Sequence, residues 1–411
     1  MPSRAETLIV GAGVIGCSVA YHLALQGVRS QVIDRESIAA RASGKSWAVF
    51  VYPARFLTIE GQPPEQLFSM PPGSVAPWLD LIWQGYHRIA DTAALIRDTT
   101  GVDIGYGELA WVRLASTEAQ ETAERKSVAV MEAAGHREAR WLDASDLRRW
   151  YPDLTPAVRG GMALPYQQIE PYRYTLGLAQ MAEQRGVAFR NGEVVGFRTA
   201  GARVTAAILA TGAEVPAGRV VLATGPWSGP ITAQLGRALP LLINREQCLR
   251  MAVPTPLPPV ALAGPTGQTI VPKMDGDVIL GHAGLADLQP TLDSSLTTEA
   301  AKLLMLTDAM ELLPSLGEAT LIEQRGDFEG WSPPPYRIRP VLGRLPDWEN
   351  VYLATRFGTL GMMMSLGAGR VLAELIAAGH PPVRFRQLLE ALSPAGIEWR
   401  PAVVPRRAFA V

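Results

Sequence analysis

The chain has 411 residues, 48% of them hydrophobic and 19% charged, and a formal net charge of −1. That length predicts two or three domain-sized units around a large core, and the balanced charge gives no electrostatic attraction to nucleic acid or an anionic membrane. Cys17 and Cys248 join no metal-ligand cluster and the five histidines lack zinc-site spacing, so no metal is expected and a reduced, cytoplasmic setting fits.

No signal peptide is expected before the first strand, and no uninterrupted apolar run reaches the ~18 residues of a spanning helix. The β-branched run Leu8-Ile9-Val10 predicts a buried parallel strand. Gly11, Gly13 and Gly16 then form G-x-G-x-x-G where the strand should turn into a helix. Gly11 permits the tight turn, Gly13 lets backbone approach a pyrophosphate, and Gly16 lets the helix pack on the strand. The helix is predicted from Val14 to Gln26, with Gly27 as its stop, and a second strand from Ser30 to Ile33 ends at Asp34. Asp34 lies 18 residues beyond Gly16, close to the ~20 expected of a carboxylate that binds a ribose hydroxyl. The full context predicts a dinucleotide site with its pyrophosphate at the helix N-terminus. An acid at position 34 suits a free 2′-hydroxyl, hence FAD or NAD rather than NADP, although Arg35 follows it directly.

The small-residue segment from Ile38 to Ala48 lets backbone run close to a flat ligand, with Ser43, Lys45 and Ser46 as polar contacts. Residues 53 to 77 are rich in proline and predict an irregular excursion, a candidate lid. Helices are expected from Trp78 to Thr99 and Glu118 to Gly135, a strand from Glu108 to Leu114, and a short capped helix from Asp143 towards Pro152. No element is assigned from Gly160 to Pro171, which closes on the turn Ile169-Glu170-Pro171. A helix from Tyr172 to Gln184, a strand from Val187 to Phe189 and a hairpin through Val194 follow. Arg219 to Gly225 predicts a second buried strand ending in Ala223-Thr224-Gly225, before Pro226-Trp227-Ser228. Residues 240 to 330 alternate strand-like runs with Pro/Gly loops and one helix from Thr297 to Leu313, the pattern of a separate antiparallel lobe. Asn350 to Thr355 is again a strand, Arg356 to Met362 a glycine-rich turn, and Met363 to Ala378 a helix whose N-terminus can face a ligand.

Together these pieces resemble the D-amino-acid oxidase superfamily of flavoproteins, with glycine oxidase and monomeric sarcosine oxidase as the nearest branches. The resemblance spans nearly the whole chain. It rests on Gly11-Ala12-Gly13-Val14-Ile15-Gly16, Ala42-Ser43-Gly44, Ile169-Glu170-Pro171, Ala223 to Ser228, Pro340 to Gly343, and Ala354 to Gly369. It implies an α/β fold in which a Rossmann-like, glutathione-reductase-type FAD lobe carries a second, antiparallel-sheet α+β substrate lobe. The expected FAD lobe is discontinuous, residues 1–52, 153–238 and 331–411. Residues 53–152 and 239–330 are left for the substrate lobe. The resemblance further implies non-covalent FAD. Val14 and Ile15 would face its pyrophosphate, Asp34 and Arg35 its ribose, and Val194 its adenine. Ala42, Ser43, Lys45, Ser46 and Ala48 would pass the pyrophosphate and flavin, with Ala223, Thr224, Gly225, Trp227 and Gly343 as further family positions. Phe357, Gly358, Thr359, Leu360, Gly361 and Met362 would line the flavin ring.

The chain departs from that pattern in three ways. The glycine oxidase branch carries Arg-Pro before the glycine equivalent to Gly343, and that arginine grips the substrate carboxylate; here the pair is Ser332-Pro333. Serine cannot replace a bidentate guanidinium, so Arg337, Arg339 and Arg356 become candidates. The sarcosine oxidase branch has a lysine where this chain has Ile279. No cysteine lies in the C-terminal part, which excludes covalent flavin attachment through that residue. His282 in the second lobe and Tyr52, Tyr166 and Tyr336 are further candidates for the substrate pocket, and Met362, Met363 and Met364 for its apolar padding.

The expected reaction is oxidation of the C–N bond of an amino acid, an N-substituted glycine or another secondary amino acid of specialised metabolism. Hydride would pass to flavin N5, and O2 would take the electrons as H2O2. The alternatives are a dehydrogenase with a quinone or protein acceptor, and a non-enzymatic flavin-binding subunit. The oligomeric state is left open.

Overall fold

In the computed structural model, residues 7–57, 78–283, 287–333 and 339–401 are described. Strand β1 (Thr7–Val10) is buried at every position, as a central parallel strand must be. It feeds helix α1 (Val14–Leu25) and then β2 (Ser30–Asp34). The first sheet runs in the order Val341–Arg344, Val351–Thr355, Arg219–Leu222, β1, β2, Ala188–Asn191. Only the edge strand Val341–Arg344 is antiparallel to its neighbour. This order places the C-terminal ends of β1, Arg219–Leu222 and Val351–Thr355 side by side, which is where open α/β sheets bind ligands.

Helix α1 is covered by the helix Gly361–Ala378. Their backbones approach so closely that a Cβ on Gly369 would lie 2.2 Å from Ser18 Oγ. Ser18 Oγ donates to the Ser365 carbonyl at 2.8 Å, and Ser365 Oγ pairs with Tyr174 OH at 3.0 Å. An 18-residue window of Gly358–Ala378 has a mean hydropathy of 1.4, enough by composition to cross a membrane, but 78% of that window is buried inside this fold. It is the core helix of the first lobe.

The second sheet has ten strands. Its pairings are antiparallel except that Val260–Ala263 lies parallel to Gly107–Ala115. Two of its strands come from segments expected in the first lobe. Strand β3 (Val49–Phe50) pairs with Gly160–Gln168, and that strand pairs along its whole length with Gly107–Ala115. Gly160, Gly161 and Pro165 conceal the second of these strands in the sequence. Alternate residues divide the sheet. Trp111, Leu164, Tyr166, Val271 and Ile279 face the first lobe, whereas Val112, Leu249, Val278 and Leu280 pack beneath the helix Glu299–Leu312.

Candidate cofactor and substrate site

The turn after β1 is built by backbone constraint. Gly11 adopts φ +109°, and a Cβ there would meet the Ala223 carbonyl oxygen at 2.4 Å. Its N–H donates to Ile33 O at 2.8 Å. Asp34 then ties the turn together: its carboxylate accepts from Ala12 N at 2.7 Å and from Glu36 N at 2.8 Å. Ser43 Oγ accepts from Val14 N at 3.0 Å, so the small-residue segment is held against the N-terminus of α1. On the far side Ser228 Oγ donates to Thr355 Oγ1 at 2.8 Å, and Thr355 Oγ1 donates to Gly225 O at 3.1 Å, joining the two remaining strand ends.

These turns enclose a cleft of about 950 Å³, at the upper end of the range for small-molecule and cofactor sites. It extends from the adenine-sized end at Val194, Phe197 and Leu209, past Gly11, Gly13, Val14, Ile15, Asp34 and Arg35, to Phe357, Gly358, Thr359, Gly361 and Met362. Ala42, Ser43, Ser46, Ala223, Thr224, Gly225 and Trp227 also line it. The Arg35 guanidinium stacks on the Trp227 ring at 4.3 Å. An extended FAD suits this shape: a helix N-terminus for the pyrophosphate, a carboxylate for the ribose, and a glycine-rich turn for the ring. Ser46 Oγ is buried without a partner in this wall, a polar atom that a polar ligand edge would satisfy.

Other expected positions serve the site from outside its lining. Gly16 packs against the turn itself, where a Cβ would strike Gly11 O. Ala48, at φ +55°, gives its carbonyl to Ile169 N at 3.1 Å. Leu360 is buried in the helix start and Gly343, at φ +141°, lies in the edge strand. Lys45 is drawn away from the cleft. Its Nζ lies 3.1 Å from Asp327 Oδ2 and 3.3 Å from Gly326 O, because the buried Asp327 needs a cation. A different lysine supports the segment: Lys273 is buried and donates to Ile169 O at 2.8 Å and Trp47 O at 3.3 Å, and burial lowers its pKa.

The substrate candidates separate sharply. His282 is corrected as a catalytic residue: it shares the strand face of Val278 and Leu280, and its Nε2 lies 3.3 Å from Asp308 on the cover helix. Strand alternation therefore turns it away from the cleft. Tyr336 and Arg337 lie outside the described residues. Burial, and then the positive charge of Arg339 beside it, depress Arg356 to about 10. Arg356 is 6% exposed, lines the cleft and holds a left-handed backbone at φ +63°. Its Nε has no hydrogen-bond partner. Tyr52 is committed elsewhere, donating to Glu138 Oε2 at 3.0 Å. Arg55, which the sequence did not single out, donates from Nη1 to Tyr166 OH at 2.9 Å. Its signal was a cation within an otherwise apolar run after the flavin-facing segment.

The chain is similar to the glycine oxidase of Geobacillus kaustophilus, at 23% identity over 379 residues, 92% of this chain and 94% of that protein. The crystal structure of glycine oxidase from that organism superposes with a TM-score of 0.81 at 21% identity, covering 95% of this chain and 98% of that one. Glycine oxidase from Bacillus cereus gives a TM-score of 0.79 at 22% identity, covering 96% and 100% of the two chains. Iminodiacetate oxidase from Chelativorans sp. gives 0.77 at 23% identity, covering 94% and 98%. The family pattern described as DAO, FAD dependent oxidoreductase, matches residues 6–375, and the chain belongs to that family.

Proposed function

We propose that this FAD-dependent oxidoreductase oxidises the C–N bond of an amino acid or N-substituted glycine to an imine, with dioxygen as the final acceptor. The observation that carries this reading is Arg356: a buried cation at the ring end of the cleft, with Nε unpartnered. A substrate carboxylate is the complementary group. A bound FAD would supply the two-electron acceptor for the substrate's hydride and the route by which those electrons reach dioxygen as hydrogen peroxide. The chain's part is to hold the acid at Arg356, present the α-carbon to the ring, and exclude water by the apolar wall of Phe357 and Met362. The amine must bind uncharged, since its lone pair becomes the new C=N bond. The adjacent cations Arg356 and Arg339 favour that neutral form. The names of similar proteins, oxidases of glycine and iminodiacetate, support an amine substrate. The single dinucleotide fingerprint supports dioxygen over a nicotinamide. The buried free thiols Cys17 and Cys248 support a cytoplasmic setting.

The test is an anaerobic screen of primary and N-alkylated amino acids against the yellow holoenzyme. Bleaching of the flavin by at least one amine, and peroxide on readmitting air, is the expected result. Bleaching by none of them would sink the proposal; bleaching with no peroxide but reduction of an artificial dye would replace dioxygen by another acceptor.

A further inference from the structure

We infer that the substrate pocket takes amines bearing a second acidic group, held by Arg55 with Tyr166. This deepens the amine-oxidising reading and rests on it. Arg55 lies in the short turn Pro53–Leu57, directly after β3. One guanidinium nitrogen, Nη1, donates to Tyr166 OH at 2.9 Å, and the guanidinium sits 5.6 Å from the Phe56 ring centre. Its Nε is buried with no partner. No carboxylate among the described residues pairs with it.

Three other sheltered arginines among the described residues pair with carboxylates. Arg113 forms a bidentate pair with Glu124, its Nη2 2.6 Å from Oε1. Arg250 is shared by Glu170, Asp275 and Asp277, and Arg245 binds Asp287 at 2.7 Å. Arg55 and Arg356 stand apart from that habit. A second orphan adjoins Tyr166: Trp111 stacks on it at 4.9 Å, and its Nε1 is also buried without a partner. Both orphans are donors only, so the missing partner is an acceptor, and beside a guanidinium it is an anion. Each buried unpaired donor costs stability unless a ligand satisfies it.

Chain order and strand register carry the pair onward from the cleft wall. Tyr166 shares its strand face with Gln168, which lies opposite Val49 in register. Val49 follows the cleft-lining Ser46 by three residues, and Tyr166 is two residues, roughly 7 Å, further along the strand. Arg356 takes one carboxylate at the ring, and Arg55 takes the second at the far end of a short dicarboxylic amine.

The test compares two unreactive probes on the holoenzyme: thiodiacetate, with two acids, and (methylthio)acetate, with one. Each is titrated while the visible flavin spectrum is read, for the natural chain and for Arg55→Met, Arg55→Lys and Tyr166→Phe. Thiodiacetate is expected to bind roughly 10- to 100-fold more tightly than the monoacid. Arg55→Met should erase that ratio by weakening thiodiacetate alone, with Arg55→Lys keeping part of it. Equal binding of the two probes by the natural chain, or an undiminished ratio in Arg55→Met, would overturn the inference. If Arg55→Met fails to fold, the probe ratio in the natural chain and in Tyr166→Phe still decides. The amine screen separates the two proposals. Amines that bleach the flavin without any preference for a second acid remove the acid site alone. A thiodiacetate preference with no bleaching amine removes the amine reading alone.

Discussion

The hydroxyl of Ser332 clasps both backbone polar groups of Arg339, accepting from its N–H at 2.9 Å and donating to its carbonyl at 3.1 Å. Ser332 is 1% exposed. The position where the family resemblance implies a substrate-gripping arginine therefore holds a structural clasp here. It ties Arg339 to Ser332 and fixes where Arg339 stands beside Arg356.

The clasp predicts opposite outcomes for two substitutions from those that the family pattern alone would give. Ser332→Ala strands a buried N–H, and should cost about 1–3 kcal/mol of stability, read as a lowered midpoint in denaturant. Ser332→Arg should not improve carboxylate binding, because it breaks the clasp and puts a guanidinium at a buried position. It should lower the yield of folded, yellow protein. A Ser332→Arg variant that stays folded and binds amino acids more tightly would contradict the clasp.

Arg356 is expected to dominate recognition of the acid at the ring. Arg356→Met should reduce kcat/KM for a carboxylate-bearing amine by roughly 30- to 1000-fold, while the FAD content and the visible spectrum persist. Arg356→Lys should recover only part, since an ammonium cannot make the bidentate contact. Affinity for an unreactive carboxylate should fall in the same order across these variants, since the lost contact is charge-assisted and the natural guanidinium stays protonated. The amide of the same substrate should show neither effect.

Much of this site could be read from the residues. Gly11, Asp34 and Ser43 announced a turn, a carboxylate and a small-residue crossing, because local spacing alone forces those roles. The hidden parts depend on pairing partners distant in sequence. His282 looked well placed until the alternation of Val278–His282 turned it towards Asp308. Lys45 looked like a cofactor contact because no local pattern reveals Asp327. The strand Gly160–Gln168 was missed because its two glycines and proline carry turn propensity, which pairing with Gly107–Ala115 overrides. Arg356 was one of three candidate arginines, and only the coordinates single it out by its buried, unpartnered Nε; Arg55 was passed over because its bond to Tyr166 spans 111 residues.

The β1 turn makes a simpler prediction. A Cβ at Gly11 meets Ala223 O at 2.4 Å, in a backbone region that disfavours every side chain. Gly11→Ala must push β1 away from Arg219–Leu222 at the point where the pyrophosphate would sit. The purified variant should be colourless or should release FAD on gel filtration. A variant that retains FAD with unchanged affinity would show that the turn tolerates displacement.

The polar chain that joins α1 to the core helix makes the fold acid-sensitive at one histidine. His22 is 8% exposed and its Nδ1 lies 2.8 Å from Ser18 O, beside the serine that bonds Ser365. Burial lowers its pKa from 6.5 to about 4, and the neighbouring Arg88 and Arg370 add to the effect while the Ser18 carbonyl opposes it. Above pH 6.5 both folded and unfolded chains hold a neutral imidazole, and this residue carries no penalty. As pH falls from 6.5 towards 4, the unfolded chain takes up a proton that the folded chain resists. Stability therefore declines across that window, by about 3 kcal/mol at its foot. His22→Gln keeps a hydrogen-bonding side chain that does not titrate. In urea titrations at pH 7.5 and pH 4.5, the natural chain should lose more stability between the two than His22→Gln does. Equal losses in both would assign the acid limb to other groups and leave His22 charged or exposed in solution.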